Sequence, residues 1–114
     1  MNSLISTHVL DTSIGRPAEG LEVTLDFENS DGRWQELARG VTSADGRVSN
    51  FELRSRLQPG TYRLVFETAK YFAARQQASF YPRVEVIFHV TDVSQHYHVP
   101  LLLSPFSYST YRGS

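Results

Sequence analysis

Cysteine is absent from this chain of 114 residues, and lysine occurs only once, at Lys70. Without cysteine, the chain has no disulfide bond, no zinc–thiolate centre and no thiol nucleophile. Arginine supplies all the remaining members of the 11 basic residues. Arginine is the cation that protein interfaces and anion sites favour, so these arginines are candidates for such roles.

Clustered charge and long apolar runs are missing too. The formal net charge is −1 and the basic residues form no block, whereas a nucleic-acid-binding surface needs clustered positive charge. No stretch is long and apolar enough to span a bilayer, and Met1–Ile5 lacks the basic and apolar regions of a signal peptide. We therefore expect a cytoplasmic protein that contacts neither nucleic acid nor membrane. No clear address is written in the sequence, so the periplasm and the peroxisome stay open, and a leader removed upstream stays possible as well.

Two common catalytic motifs do not occur. The 7 glycines stand apart at turn positions and build no phosphate-binding loop. No G-x-S-x-G nucleophile elbow is present. A water nucleophile therefore fits this sequence better than a covalent intermediate.

What the chain does contain is alternation of apolar and polar residues between turn dipeptides. Leu21–Phe27 alternates strictly, as a half-buried strand does. Asp31-Gly32, Asp45-Gly46 and Pro59-Gly60 mark turns. The pattern predicts about eight short strands, over residues 3–10, 21–27, 34–41, 47–53, 61–66, 84–90, 96–103 and 107–111. Their spacing is typical of a sandwich or barrel, and the length suits a single domain, residues 1–114.

One segment, residues 68–77, departs from the alternation and predicts a short helix. Ala69, Phe72, Ala73 and Gln76 recur there at helical spacing, with no glycine or proline between them. Thr68 is placed to cap the start of this helix.

The predicted strand at Val99–Leu103 is apolar on both faces and contains Pro100. A strand of an antiparallel sheet normally exposes one face to water, and proline cannot donate to a central ladder. Either a second subunit covers the outer face or a loop of the same chain does. The first explanation predicts an oligomer.

Histidines are the main candidates for chemistry. His96 and His98 share one side of a predicted strand, about 6.6 Å apart along it, and His8 and His89 lie in other strands. They suit three interpretations: structural histidines, a zinc site built on the His-x-His pair, or metal-free acid–base catalysis. In the last case a neutral histidine takes a proton from water, and Arg47 stabilises an oxyanion.

Several segments together resemble the 5-hydroxyisourate hydrolases, the enzyme relatives of the transthyretins. The likeness is carried by Ser6–Asp11, Asp45-Gly46-Arg47, His96–Pro105 and, most specifically, the terminal Tyr111-Arg112-Gly113-Ser114. It implies an all-β fold, a transthyretin-like sandwich of two sheets with about eight short strands and one short helix around residues 68–77. It also implies a homotetramer, a dimer of dimers whose active sites lie where the dimers meet.

The resemblance further implies a reaction and a site. The reaction opens the ring of 5-hydroxyisourate, a product of urate oxidation, to 2-oxo-4-hydroxy-4-carboxy-5-ureidoimidazoline, without metal or cofactor. His98 or His8 would activate water, and Arg47 would stabilise negative charge. The predicted site is the set of residues at the family's motif positions: His8, Arg47, His98 and Ser114 as catalytic residues, with Tyr111, Arg112 and Gly113 binding substrate. In this pattern His96 is not marked as catalytic and His89 is structural.

Two other functions stay open at this point. The resemblance also implies a central channel through the tetramer. True transthyretins carry thyroid hormone in that channel, so a binding protein without catalysis is the main alternative. A domain that has lost its chemistry and only assembles with partners is the other. The terminal tetrapeptide and the histidines favour the hydrolase.

Overall fold

The computed structural model describes residues 4–53 and 56–114, which form nine strands and one helix. The elements in chain order are β1 (Ile5–Asp11), β2 (Arg16–Pro17), β3 (Glu22–Glu28), β4 (Trp34–Val41), β5 (Arg47–Val48), β6 (Gly60–Phe66), α1 (Thr68–Ala73), β7 (Val84–Val90), β8 (Tyr97–Leu103) and β9 (Tyr108–Thr110). The start of the first predicted strand, Ser3, lies outside the described residues.

The strands build two sheets, which confirms the predicted sandwich. One sheet has the order β2-β1-β8-β9, with β5 also paired to β1, and the other has the order β4-β3-β6-β7. Strands β1 and β8 are parallel, and all other pairs are antiparallel. Strands from the start, middle and end of the chain therefore lie side by side in the first sheet.

The core lies between the sheets because one face of each strand is apolar. Leu25, Leu64 and Leu101 are fully buried there. Tyr62 packs its ring edge-on against Phe27, with ring centroids 5.0 Å apart. Its hydroxyl donates to the Gln58 carbonyl oxygen at 2.6 Å, so the ring is buried while its polar end keeps a partner.

A buried carboxylate ties helix α1 to the first sheet. Asp11 is fully buried at the end of β1 and accepts a hydrogen bond of 2.8 Å from the Tyr71 hydroxyl. Its other oxygen accepts from the backbone and hydroxyl of Ser13. Burial and the nearby Asp11 carboxylate raise the pKa of Tyr71 to about 12, so the phenol remains a donor at any ordinary pH.

The helix is shorter than predicted, ending at Ala73 rather than Gln77. Gln76 has a φ of 59°, and the N–H groups of Gln76 and Gln77 bond back to the carbonyls of Ala73 and Phe72. This pattern is a Schellman stop, in which one left-handed residue reverses the chain. Helical spacing alone does not show such a stop. Thr68 was also wrongly placed as the cap, since Glu67 occupies that position without a side-chain bond.

The strand predicted over residues 47–53 was wrong beyond Val48. Val48 and Phe51 are both buried, and this spacing of three cannot be met by a strand whose side chains alternate. The segment leaves the sheet so that Phe51 can reach the core. A short strand at Arg16–Pro17, which the pattern did not predict, pairs with β1 instead.

Pro100 occupies a central position, between β1 and β9. It pairs with His8 of β1 in the parallel ladder. On the side of β9, regular pairing ends where Leu101 pairs with Thr110, and one further bridge joins His98 to Gly113. Pro100, which has no N–H to donate, lies between these two positions. The Thr110 hydroxyl donates to the Pro100 carbonyl oxygen there at 2.7 Å.

Candidate functional site

The first sheet collects the predicted catalytic residues on its outer face. His8 of β1 stands opposite Arg47 of β5, and Ser6 stands opposite His98 of β8. Cross-strand partners point to the same side of a sheet. The alternation that buries Ile5 and Val9 therefore turns Ser6 and His8 away from the core, toward this face.

The Asp45-Gly46 turn delivers Arg47 to the site. Gly46 has a φ of +79°, and a Cβ there would lie 2.4 Å from the Val9 carbonyl oxygen, so only glycine lets the turn pass this close to β1. The Arg47 side chain is 51% exposed, and its Nε lies 3.4 Å from an Asp45 carboxylate oxygen. The Ser43 hydroxyl donates to Asp45 and lowers the pKa of that carboxyl group. Asp45 thus forms an ion pair with Arg47 while the Arg47 side chain stays accessible to solvent.

His96 and His98 both contact the hydroxyl group of Ser6. The Ser6 Oγ lies 2.8 Å from the His96 Nε2 and 2.8 Å from the His98 Nδ1. The two imidazole rings are nearly parallel, with centroids 6.4 Å apart. His96 stands just before β8 rather than inside it, yet the predicted shared face of the two histidines is confirmed.

The surroundings of His98 favour its neutral form. Partial burial lowers the pKa of His98, and the nearby positive groups of His96, Arg47 and His8 lower it further. Burial penalises the imidazolium because a charged ring loses hydration. A neutral imidazole can accept a proton at physiological pH, as a general base must.

The end of the chain is docked against His98. The Gly113 N–H donates to the His98 carbonyl oxygen at 2.8 Å, and a Cβ on Gly113 would lie only 2.6 Å from the His98 Cδ2. Arg112 places its guanidinium carbon 4.6 Å from the centre of the Tyr97 ring and donates to the Gln95 Oε1 at 3.2 Å. These contacts place Ser114 beside the histidines.

A polar cavity of about 240 Å³ opens at this point. Its lining consists of small hydroxyl side chains, histidines and one arginine: Ser6, Thr7, Arg47, Ser49, His96, His98 and Ser114. Three of the four predicted catalytic residues, Arg47, His98 and Ser114, share it. Its volume falls below the usual range of about 300–1,000 Å³ for sites that take drug-sized ligands, so it suits a small polar molecule.

The other predicted site residues lie around this cavity rather than in its lining. His8 is on the same sheet face, opposite Arg47. Tyr111 and Arg112 line a second, mainly apolar cavity of about 280 Å³, which also touches His98 and lies against β7 residues such as Phe88. Gly113 is hydrogen-bonded to the backbone of His98, which lines both cavities.

Sequence reasoning missed Ser6, Thr7 and Ser49, which line the cavity. Ser6 begins the Ser6–Asp11 segment, but the resemblance assigns it no role, and serine is common in strands and turns. The available signal was parity: Ser6 and His8 are two residues apart in one predicted strand and therefore point the same way. Ser49 directly follows β5, which ends at Val48, so its place beside the cavity depends on a strand end that the sequence pattern did not predict.

In residues 4–53 and 56–114, no group of three His, Asp or Glu side chains is placed to hold a metal ion. Over the same ranges, no helix is long and apolar enough to cross a membrane. His89, the fourth histidine, is exposed on β7 with its Nε2 3.5 Å from the Thr61 hydroxyl.

Known proteins are similar to this chain in sequence and in fold. Residues 5–113 match the model of the HIUase/Transthyretin family. Mouse 5-hydroxyisourate hydrolase is 50% identical over 114 residues, covering 99% of this chain and 97% of the mouse protein. Klebsiella pneumoniae 5-hydroxyisourate hydrolase superposes with a TM-score of 0.84 at 38% identity, covering 100% of both chains. Sea bream transthyretin in complex with thyroxine superposes with a TM-score of 0.90 at 33% identity, covering 96% of this chain and 93% of the other. By its sequence match and its fold, this chain is a member of the HIUase/transthyretin family.

Proposed function

We propose that this chain is a 5-hydroxyisourate hydrolase that opens the ring of its substrate by adding water to a ring carbonyl. The observation that carries the proposal is the cavity shared by Arg47, His98 and Ser114. It combines a neutral base, a permanent cation and hydroxyl groups around a space for a small polar molecule. The product is 2-oxo-4-hydroxy-4-carboxy-5-ureidoimidazoline.

His98 is the general base in this proposal. Its Nε2 has no hydrogen-bond partner among the described residues, and every buried polar side-chain atom there is partnered, so Nε2 is open to solvent. A water molecule held at Nε2 gives its proton to the imidazole while its oxygen attacks the ring carbonyl carbon. The ring C–N bond then breaks, the nitrogen takes a proton back, and a carboxylate is released. Proton transfer of this kind typically contributes about 10²–10⁴-fold.

Arg47 and the end of the chain complete the site. The attacked carbonyl becomes an oxyanion, and the exposed guanidinium of Arg47 supplies fixed positive charge for it. Ser114 offers a polar group at the cavity wall. His8, opposite Arg47, adds positive character when protonated or serves as a second base. Tyr111, Arg112 and Gly113 bind the substrate in this proposal, and the Tyr111 ring, which is 58% exposed, packs against the planar ligand.

Fold similarity does not separate a hydrolase from a hormone carrier. The TM-score is higher for the thyroxine-bound transthyretin, 0.90, than for the Klebsiella hydrolase, 0.84. Function resides in the site rather than in the fold. The site favours the hydrolase because its cavity is lined by histidine, arginine and serine, which suit proton transfer to and from a polar substrate.

The proposal includes a homotetramer, a dimer of dimers with the sites where dimers meet, in the cytoplasm. Leu102 lies on the outer face of β8, two residues from buried Pro100, and is 36% exposed; Phe106 in the following turn is 65% exposed. A second dimer would cover this apolar surface. The absence of cysteine suits a reducing compartment. Analytical ultracentrifugation of the purified protein tests the oligomeric state.

The experiment that tests the activity follows the ultraviolet absorbance of freshly generated 5-hydroxyisourate. Wild-type protein should accelerate its decay, with and without a chelator. Unchanged decay would overturn the proposal, and thyroxine binding without turnover would favour the carrier. Chelator-sensitive turnover together with stoichiometric zinc would instead favour a metal-dependent hydrolase.

A further inference from the structure

Ser6 has a role in the site that the family resemblance does not assign. Its side chain is almost fully buried, with 5% of the residue exposed, and it projects from β1 directly opposite His98 of β8. Its Oγ contacts the His98 Nδ1 and the His96 Nε2, each at 2.8 Å. One buried hydroxyl therefore lies between two ring nitrogens.

A serine hydroxyl carries a single hydrogen, while its oxygen can accept two hydrogen bonds. A neutral imidazole has one N–H and one bare nitrogen. The two bonds at Ser6 therefore cannot both be donated by the hydroxyl. When the O–H points at one histidine, the other histidine must donate to the oxygen.

Two arrangements of neutral rings satisfy both bonds while the Ser6 O–H points at a histidine. In the first, the His98 Nδ1–H donates to Ser6 and the Ser6 O–H donates to the His96 Nε2, which leaves the His98 Nε2 bare. In the second, His96 donates to Ser6 and Ser6 donates to the His98 Nδ1, so that the His98 Nε2 carries a hydrogen. Of these two, the first gives His98 a basic nitrogen that is open to solvent.

We propose that Ser6 is a positioning residue that, together with His96, holds His98 in the tautomer with a bare Nε2. This inference rests on the proposed hydrolase function for its catalytic meaning, while the tautomer itself can be observed without turnover. His96 is the outer end of the chain of bonds, since it is exposed and lines the same cavity. After His98 accepts the proton of water at Nε2, its Nδ1–H still donates to Ser6, so the bond persists through the step.

Nitrogen-15 NMR of the histidine rings tests the tautomer in the intact protein without substrate. Wild-type His98 should show a protonated Nδ1 and a bare Nε2 above its pKa. Ser6→Ala should lose that preference, whereas Ser6→Thr, which keeps a hydroxyl, should retain it. Ser30→Ala, in an exposed turn of the other sheet, is the matched control and should leave the His98 signals unchanged. A protonated Nε2 in wild-type His98, or the same tautomer in Ser6→Ala, would overturn the inference.

Kinetics test the consequence for turnover. Ser6→Ala should lower kcat by about ten-fold, the size of effect that one hydrogen bond controls, with KM changed less. Ser6→Thr should recover most of the activity, and His96→Phe should lower kcat as Ser6→Ala does. If Ser6→Ala does not fold, wild-type NMR and His96→Phe still decide the matter. If wild-type protein shows the expected tautomer but has no activity, the hydrolase proposal is wrong. If Ser6→Ala has a normal kcat, only the inference about Ser6 is wrong.

Discussion

Gly113 lies in van der Waals contact with His98, and its N–H donates to the His98 carbonyl oxygen at 2.8 Å. A side chain on Gly113 would reach within 2.6 Å of the His98 ring and 3.1 Å of Pro100. The ring is therefore held on two sides, by Ser6 at its Nδ1 and by glycine at its Cδ2 edge. The docked end of the chain thus helps to position the imidazole.

Gly113→Ala should inactivate the enzyme without unfolding it. The added methyl group forces either the tail or the His98 ring to move, and a misplacement of about 1 Å can cost about 100-fold in rate. Deleting residues 111–114 should also abolish hydrolysis while the protein stays folded. Circular dichroism and thermal unfolding measure the fold, and the ultraviolet assay measures the rate. Full activity of the truncated protein would show that the tail is not part of the site.

Arg47→Lys should lower kcat strongly while leaving the fold intact. Lysine keeps the charge but lacks the planar fork that presents several N–H donors at once. Removing one oxyanion donor costs about 2.7–4 kcal/mol in comparable sites, which is about 10²–10³-fold. Arg33→Lys is the matched control, because Arg33 is 87% exposed in a turn of the other sheet. Normal turnover by Arg47→Lys would remove Arg47 from the mechanism.

The acid limb of the pH profile should lie below the range of an ordinary histidine. The base must be unprotonated, so activity falls as the pH drops through its pKa. The pKa of His98 is lowered from 6.5 by burial and neighbouring positive charge, so kcat/KM should hold down to a pH below 6.5. Arg47→Gln removes one of these charges and should shift the limb upward. A limb well above pH 7 in wild-type protein would contradict a neutral, poised His98.

Tyr71→Phe should destabilise the fold without touching the site. The change leaves buried Asp11 without its hydrogen bond from Tyr71, and an under-satisfied buried polar group costs about 1–3 kcal/mol. The midpoint of urea unfolding should therefore fall. Tyr108→Phe also removes one phenol hydroxyl, but Tyr108 is 41% exposed, so its midpoint should stay nearly constant. Equal midpoints for the two variants would mean that the Asp11–Tyr71 bond contributes nothing.

Alternation placed most strands correctly because it reports burial directly. Leu21–Phe27, for instance, corresponds to β3, Glu22–Glu28, with one residue of difference at each end. The predicted boundaries were wrong where the backbone leaves regular geometry. The helix ends early because Gln76 adopts a left-handed conformation. The segment after Val48 leaves the sheet, and Phe51 is buried in the core.

The site was predictable in its residue types but not in its contacts. Parity placed His96 and His98 on one side, and the terminal motif singled out Ser114, which lines the same cavity. The parallel pairing of β1 with β8, by contrast, joins residues about 90 positions apart in the chain, such as Ser6 and His98. Such pairing depends on the whole sheet, so the shared hydroxyl of Ser6 became visible only in the fold.

The most direct test of the central claim compares a histidine variant with a surface control in the decay of 5-hydroxyisourate. His98→Asn removes the proposed base, whereas Gln35→Asn changes an exposed polar side chain on β4, in the other sheet. Both proteins should fold as the wild type does. We predict a fall of about 10²–10⁴-fold for His98→Asn and wild-type rates for Gln35→Asn. Wild-type turnover by His98→Asn would contradict the claim that this imidazole activates the attacking water.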